Sequence, residues 1–342
     1  MKIVFLQNQL LHYRVAFYEE LSKDHDITII HSGKPIVSST HSFKEIIISC
    51  KQYGPFFFQE GLHSTIKSLN PEIIVAMFDI RWLSILFSML LLDKKLKWIW
   101  WGLDRGKNQL AYLMKKIILL RKNKVIFYNK NIKDLFKRNN FDHILFFTNN
   151  SIAVPYDQKK QRVDFKDSII NVGSLVERKE NLITIKYFSY LLEESKKELY
   201  FHLVGRGPHE KALKEYSKKL GIEKNILFHG HIDDYDLLTP LYERSFASVS
   251  YGQAGLAVPQ SLGFGVPFIT KNDAISGGEI NNIVDTKNGF LLKQEEDLLL
   301  KLRLLLEDNE LQKEMSKFCR EYYIKNCSIK AMAEDFNKVF IS

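Results

Sequence analysis

Short apolar runs alternate along the chain with longer segments of helical period, a pattern that predicts strand followed by helix many times over. Lys2 to Leu6 is an apolar run ending in a polar loop, and Val15 to Ser22 reads as the helix after it. Ile27 to His31 is β-branched and closed by Ser32-Gly33-Lys34-Pro35, and Phe43 to Ser49 reads as a further strand. Asn70-Pro71 stops a helix ahead of the buried strand predicted at Ile73 to Ala76. Trp82 to Leu92 reads as helix, Lys97 to Trp101 as strand and Gln109 to Arg121 as helix, with Val125 to Tyr128 and Ile144 to Phe147 continuing the sheet. Asn149 to Ser168, with Pro155, many polar residues and no period, reads as an interdomain linker. The alternation then restarts. Strands are predicted at Ile169 to Gly173, Tyr200 to Val204, Ile226 to Phe228, Ala247 to Ser250 and Pro267 to Thr270. Helices near Asp297 to Leu306, Glu310 to Lys325 and Ile329 to Val339 follow. Apolar strands between helices imply parallel sheets covered on both faces. The expected fold class is therefore α/β: two Rossmann-like, doubly wound domains facing across a cleft.

Composition narrows the class. A chain of 342 residues exceeds one typical core, and 45% hydrophobic content excludes a wholly disordered chain. Three cysteines (Cys50, Cys319, Cys327) make no disulfide framework and no C-x-x-C pair, which favours a reducing compartment. The opening MKIVFLQNQ has too short an apolar run for a signal peptide. The longest apolar run, Trp82 to Leu92, is about half the length needed to span a bilayer. A cytoplasmic chain without a transmembrane helix is expected.

The net charge of +9 is unevenly placed. Asp93 to Arg138 holds fourteen Lys or Arg against three Asp, so this segment is +11 and the remainder −2. Such a field calls for an anionic partner. Within it, QLAYLMKKIILLRKNK (Gln109 to Lys124) sets Lys115, Lys116, Arg121 and Lys122 beside apolar positions, a pattern able to lie on an anionic membrane leaflet. A half-buried helix with a solvated face gives the same pattern. No nucleic-acid-binding module is recognisable. The P-loop, H-E-x-x-H and EF-hand patterns are absent, so no metal site is expected.

Three stretches carry candidate chemistry. In Asn171-Val-Gly-Ser-Leu-Val-Glu-Arg-Lys-Glu-Asn181 a strand ends, Gly173 turns the chain, and Arg178 and Lys179 precede a helix. Cations at the carboxyl edge of such a sheet suit a diphosphate. An isolated Arg-Lys pair at a helix start is more often simply solvated. Leu203-Val-Gly-Arg-Gly-Pro-His-Glu210 is again strand, Gly-x-Gly turn and helix, with Pro208 placed for the first turn. Alone, a Gly-x-Gly turn is weak evidence. Ser250 to Ile269 runs from a strand end through a glycine loop into a short helix near Leu256 to Leu262, then turns at Gly265-Val266-Pro267. Amides around Gly255, Leu256 and Ala257 would face an anion, with Gln260 nearby.

Taken together, these stretches, with Phe228-His-Gly230 and with Glu279 followed by Asn288-Gly289-Phe290-Leu291, resemble the retaining glycosyltransferases of family 4, which have the GT-B fold. The likeness covers the chain from about Ile169 onward. It implies a glycosyltransferase of hexosyl type, metal-independent and without cofactor. A nucleotide-sugar donor, UDP-sugar first, would lie in the second domain. Domain bounds of 1–155, 156–325 and a C-terminal helix 326–342 packing back on the first domain follow. Donor contacts would come from Gly173, Ser174, Arg178, Lys179, Gly205, His231, Gly255, Leu256, Ala257 and Gln260, with Arg178 and Lys179 stabilising the leaving diphosphate. Glu279 would be a structural helix-start residue. The family's two donor-site glutamates, eight positions apart, are replaced here by Gly252 and Gln260.

His12-Tyr13-Arg14 resembles the acceptor-side loop of polysaccharide-assembly members. Asp104 and Arg105, after the strand at Trp101, are candidate acceptor contacts, Asp104 also the candidate base, and Asp79 a weaker one. A capping role for Asp104 competes. The implied acceptor is a glycan or a polyprenyl-diphosphate-linked glycan of surface polysaccharide or lipopolysaccharide, met at the inner face of the cell membrane. An epimerase would share the fold but would need converging carboxylates and histidines. The alternative is a non-catalytic GT-B paralogue that scaffolds a partner transferase, favoured by the loss of both glutamates.

Overall fold

The computed structural model describes residues 1–36, 41–93, 95–102, 109–119, 123–128, 130, 144–155 and 166–342. It divides into two compact units, Met1–Asn149 with Ile329–Ser342, and Asn150–Ser328.

The first unit is built on a parallel sheet. Its strands in chain order are β1 (Lys2–Leu6), β2 (Asp26–His31), β3 (Lys44–Ile47), β6 (Ile73–Met77), β7 (Lys97–Gly102), β8 (Lys124–Phe127) and β9 (Leu145–Phe147). They lie side by side in the order β3-β2-β1-β6-β7-β8-β9. Alternate residues of β1 serve opposite faces: Ile3 and Phe5 enter one core, Val4 and Leu6 the other. This is why the strand reads as a continuous apolar run. Helices α2 (Leu62–Leu69), α3 (Leu83–Leu91) and α4 (Gln109–Leu119) cover the Val4 face. Helices α1 (His12–Ser22) and α11 (Ile329–Ile341) cover the Phe5 face, where Phe336 packs on Phe17 with ring centroids 4.9 Å apart.

Two features depart from the sequence pattern. α1 begins at His12, ahead of the apolar signal, because its N-cap is Leu11 and no capping side chain marks the start. An antiparallel hairpin, β4 (Cys50–Tyr53) with β5 (Phe56–Gln59), follows β3. The α4 helix is described to Leu119; the remainder of its expected span, including Arg121 and Lys122, lies outside the described residues.

The second unit has strands β10 (Ser168–Val172), β11 (Tyr200–Val204), β12 (Ile226–Gly230), β13 (Ser245–Val249), β14 (Phe268–Lys271) and β15 (Gly289–Leu292) in the order β12-β11-β10-β13-β14-β15, with all neighbours parallel. Helices α5 (Asn181–Ser195), α6 (Glu210–Lys219) and α9 (Asp297–Glu307) pack on one face. Helices α7 (Tyr235–Glu243), α8 (Ala257–Gly263) and α10 (Asn309–Tyr322) pack on the other. The start of the expected linker is tied to this unit. Asn150 Nδ2 donates to Glu279 at 2.7 Å, and Tyr323 Oη donates to the Ile152 carbonyl at 2.7 Å. Residues 156–165 lie outside the described residues.

In each sheet the strand order reverses once, between β1 and β6 and between β10 and β13. Connections from these neighbours leave to opposite sides, so a crevice opens at their carboxyl ends.

Candidate functional site

The reversal in the second unit brings the carboxyl end of β10, at Val172-Gly173, beside that of β13, at Val249-Ser250. Gly173 adopts φ +133°, a conformation that side chains rarely tolerate. A Cβ there would also stand 2.7 Å from Lys179 Nζ. The glycine therefore makes the space into which the Lys179 side chain folds.

Lys179 ends a single 3-10 turn, Glu177–Lys179. It is 8% exposed, and its ammonium donates to the Val172 carbonyl at 3.3 Å. Burial first, and the neighbouring Arg178 charge second, lower its pKa from 10.5 to about 8. A cation is thus held at a strand end with few protein partners, suited to meet an anion. Arg178 is exposed and donates to Gln253 Oε1 at 3.1 Å.

Gly252, read from the sequence as a lost glutamate, lies against this turn. Its amide donates to the Lys179 carbonyl at 3.1 Å, and a Cβ would meet the Arg178 carbonyl oxygen at 2.4 Å. The Glu180 side chain occupies the adjoining space, 2.8 Å from that Cβ position. Glu180 adopts the left-handed conformation at φ +54° and takes Lys271 Nζ on both carboxylate oxygens, at 2.8 and 3.0 Å. The sequence reading did not single out Glu180. It directly follows Lys179, but its partner is Lys271, far along the chain.

The remaining expected contacts divide. Gly205 serves the backbone: its Cβ would stand 2.0 Å from the Gly173 carbonyl oxygen, and its amide donates to Gly230 at 2.6 Å. Ser174 is exposed beside Gly173, and His231 is exposed after β12, its Nε2 2.9 Å from Asp233. Gly255 faces open space, unlike Gly252. Leu256 is the N-cap of α8 and offers no side-chain oxygen; Val258 donates to the Gly255 carbonyl at 2.9 Å and Pro259 has no N–H, which leaves the Ala257 amide as the first-turn donor for an anion. Gln260 is buried, and its carbonyl accepts from Tyr242 Oη at 3.4 Å. Glu279 opens a 3-10 turn, buried and bonded to Asn150 and to the Gly277 amide.

In the first unit, His12 is exposed at the start of α1. Arg14 is 7% exposed, donates to Tyr128 Oη and lies over the Trp101 ring at 4.8 Å, so it braces the aromatic core. Asp79 follows β6; burial works against its carboxylate, but hydrogen bonds from Arg81 outweigh this and hold its pKa low. Asp104 and Arg105 lie outside the described residues. Among the described residues, no group of three or more His, Cys, Asp or Glu could hold a metal ion. No described helix is long and apolar enough to cross a membrane.

Residues 155–322 match the family model described as "Glycosyl transferases group 1". A comparison with curated proteins gives no match. Among solved structures, a glycosyltransferase from Rickettsia africae superposes with TM-score 0.77 at 16% identity, over 99% of this chain and 97% of the other. The Anabaena protein HepE in complex with UDP gives 0.73 at 12% identity, over 100% of both chains. The lipopolysaccharide outer core galactosyltransferase WaaB gives 0.69 at 12% identity, over 100% and 99%. The fold is GT-B, and the stretch matching the group 1 glycosyl transferase model falls within its second unit.

Proposed function

We propose that the chain moves a sugar from a nucleoside-diphosphate sugar, UDP-sugar first, to a glycan acceptor, with retention at the anomeric carbon. The observation that carries this reading is Lys179, a buried cation folded into the space left by Gly173 at the switch point of β10 and β13. As the sugar–oxygen bond breaks, negative charge gathers on the departing diphosphate. Lys179 and Arg178 stabilise that charge, and the Ala257 amide at the start of α8 assists. The cations already stand at the strand edge, so little reorganisation is needed at the reacting moment. Neither role requires a metal. Ser174, His231 and Gln260 are assigned to the rest of the donor, and Glu180 joins them as a carboxylate beside Gly252. UDP bound to HepE, and the galactosyl transfer named for WaaB, are consistent with this chemistry. His12, Asp104 and Arg105 remain the proposed acceptor side, while Arg14, buried over the Trp101 ring, braces the core instead. A lipid-linked acceptor at an anionic cytoplasmic leaflet accounts for the +11 segment.

A non-catalytic scaffold is the second reading, favoured by the packing at Gly252, which leaves no room for a carboxylate side chain there. A thermal-shift screen against UDP, GDP, CMP and dTDP separates the two. One nucleotide at about 100 times its dissociation constant should stabilise the protein by roughly 2.7 kcal/mol. That shift should fall to roughly 0.4–1.4 kcal/mol in Lys179→Ala if affinity drops tenfold to a hundredfold. No shift with any nucleotide would put the scaffold first.

A further inference from the structure

Helix α3 exposes an apolar stripe. Leu83–Leu91 contains no charged residue. Its small polar residues turn inward: Ser84 and Ser88 are 2% and 1% exposed, and Ser84 Oγ accepts from the Gln59 amide at 3.0 Å. Four of its large apolar residues turn outward, Leu83, Phe87, Leu90 and Leu91 at 39%, 52%, 55% and 56% exposed, while Ile85 is buried in the core. That spacing forms one stripe along the whole helix. A helix meeting water carries the opposite arrangement.

The stripe has apolar neighbours. Phe57 of the β4–β5 hairpin stacks on Trp82, ahead of α3, at 4.9 Å. The hairpin leaves Tyr53, Phe56 and Phe58 exposed. Helix α4 shares the Ile85 core cluster through Ile118 and Leu119, so it covers the same sheet face, and it exposes Leu113 and Ile117. Exposed apolar surface of this kind marks an interaction site.

Charge selects the occupant. From Lys94 to Lys124 the sequence holds ten Lys or Arg and one acid, Asp104, and Lys95, Lys97, Lys115, Lys116 and Lys124 are the cations of this stretch among the described residues. Leu91 also lines a groove of about 540 Å³ at the amino edge of the sheet, together with Lys67, Lys95 and Lys97 and the acids Glu72 and Asp93. Apolar side chains beside clustered cations fit acyl chains beneath anionic headgroups. Lys115 takes no part: it is 4% exposed, over the Phe78 ring at 4.5 Å.

We propose that α3 lies in the plane of an anionic membrane leaflet, inserting its Phe87–Leu90 stripe, with the hairpin and α4 flanking it and the groove lysines at the phosphates. This rests on the membrane side of the proposed function and names the inserting element as α3 in place of the basic helix. The test is co-sedimentation of the full chain with vesicles of phosphatidylcholine alone or with added phosphatidylglycerol. Wild type should partition onto the anionic vesicles. The pair Phe87→Gln, Leu90→Gln should lower that partition by roughly tenfold per residue. Its UDP thermal shift and its folding should be unchanged, since both side chains face outward. Retention of wild-type partition by the pair overturns the assignment to α3 and leaves the membrane reading intact. Wild type that ignores both vesicles overturns the membrane side, while its UDP shift reports on the donor site separately. Self-association that the pair abolishes, without vesicle binding, overturns the proposal in favour of an interface between copies.

Discussion

Lys179→Met isolates the energetic consequence of keeping a cation buried at the end of β10. Burial and the Arg178 charge lower the Lys179 pKa from 10.5 to about 8. At about 1.36 kcal/mol per pH unit, that difference opposes folding by about 3 kcal/mol at pH 7. The replacement also loses the bond from Nζ to the Val172 carbonyl, 3.3 Å long, which contributes about 1 kcal/mol. Methionine fills the volume of the lysine stem without the charge. The variant should therefore be more stable than wild type by about 2 kcal/mol at pH 7. The sign with pH follows from proton counts. Between about pH 8 and 10.5 the unfolded chain binds more protons at this position than the folded one, so wild-type stability rises with pH across that window. Below about pH 8 the penalty is fully present, and above 10.5 it is gone. Urea unfolding at pH 7 and near pH 10 reads the difference. Calorimetry with UDP should meanwhile show affinity reduced about tenfold to a hundredfold, the loss of one charge-assisted bond. Wild-type affinity should be flat below about pH 8 and fall above it, as Lys179 loses its proton. A variant less stable at pH 7 with unchanged UDP affinity would refute the reasoning, because Lys179 would then be a structural cation.

Gly252→Glu should not restore a donor-site carboxylate: its Cβ would stand 2.4 Å from the Arg178 carbonyl, so thermal unfolding should show a loss of at least about 2 kcal/mol. A stable, faster enzyme would sink that reading. Glu180→Gln should change stability by no more than about 1 kcal/mol, since its pair with Lys271 is partly exposed. Sugar transfer should nonetheless fall by roughly tenfold or more if the carboxylate faces the donor; an unchanged rate excludes that role. Burial, followed by His229, lowers His202 to about 4, so wild type should lose up to about 3 kcal/mol as pH falls from 6.5 to about 4. His202→Gln should flatten this acid limb in urea midpoints measured at several pH values, and a parallel loss in the variant would assign the limb to other groups.

The strand ends that make the site were readable because each carries a local signal. Gly173 and Gly205 follow apolar runs, and a glycine after a buried strand means a turn. Lys179 and Arg178 could be placed at that edge from chain order alone. What each side chain does there was not readable. Gly205 looked open to a ligand, yet the Gly173 carbonyl fills the space its Cβ would need. Lys115 looked like a membrane-facing cation, but no local pattern announces the Phe78 ring that covers it. Glu180 depends on a left-handed backbone and on Lys271, both products of the folded chain. The hairpin escaped detection because its strands are short and largely exposed, so they lack the alternation that marks a half-buried strand. α3 was legible as a helix, but its apolar run did not tell that Ile85 would face the core while Phe87 and Leu90 stay exposed.

Helix α11 gives the polypeptide an order of assembly during synthesis. Met332, Phe336 and Phe340 complete the core around Phe5 and Phe17, yet they are translated after the whole of Asn150–Ser328. The second unit can therefore close while still near the ribosome. The first must wait with a row of aromatic rings uncovered. Chaperone demand should concentrate on that interval, and a stop codon placed just before Ile329 should yield a chain whose earliest-made half is the part that precipitates.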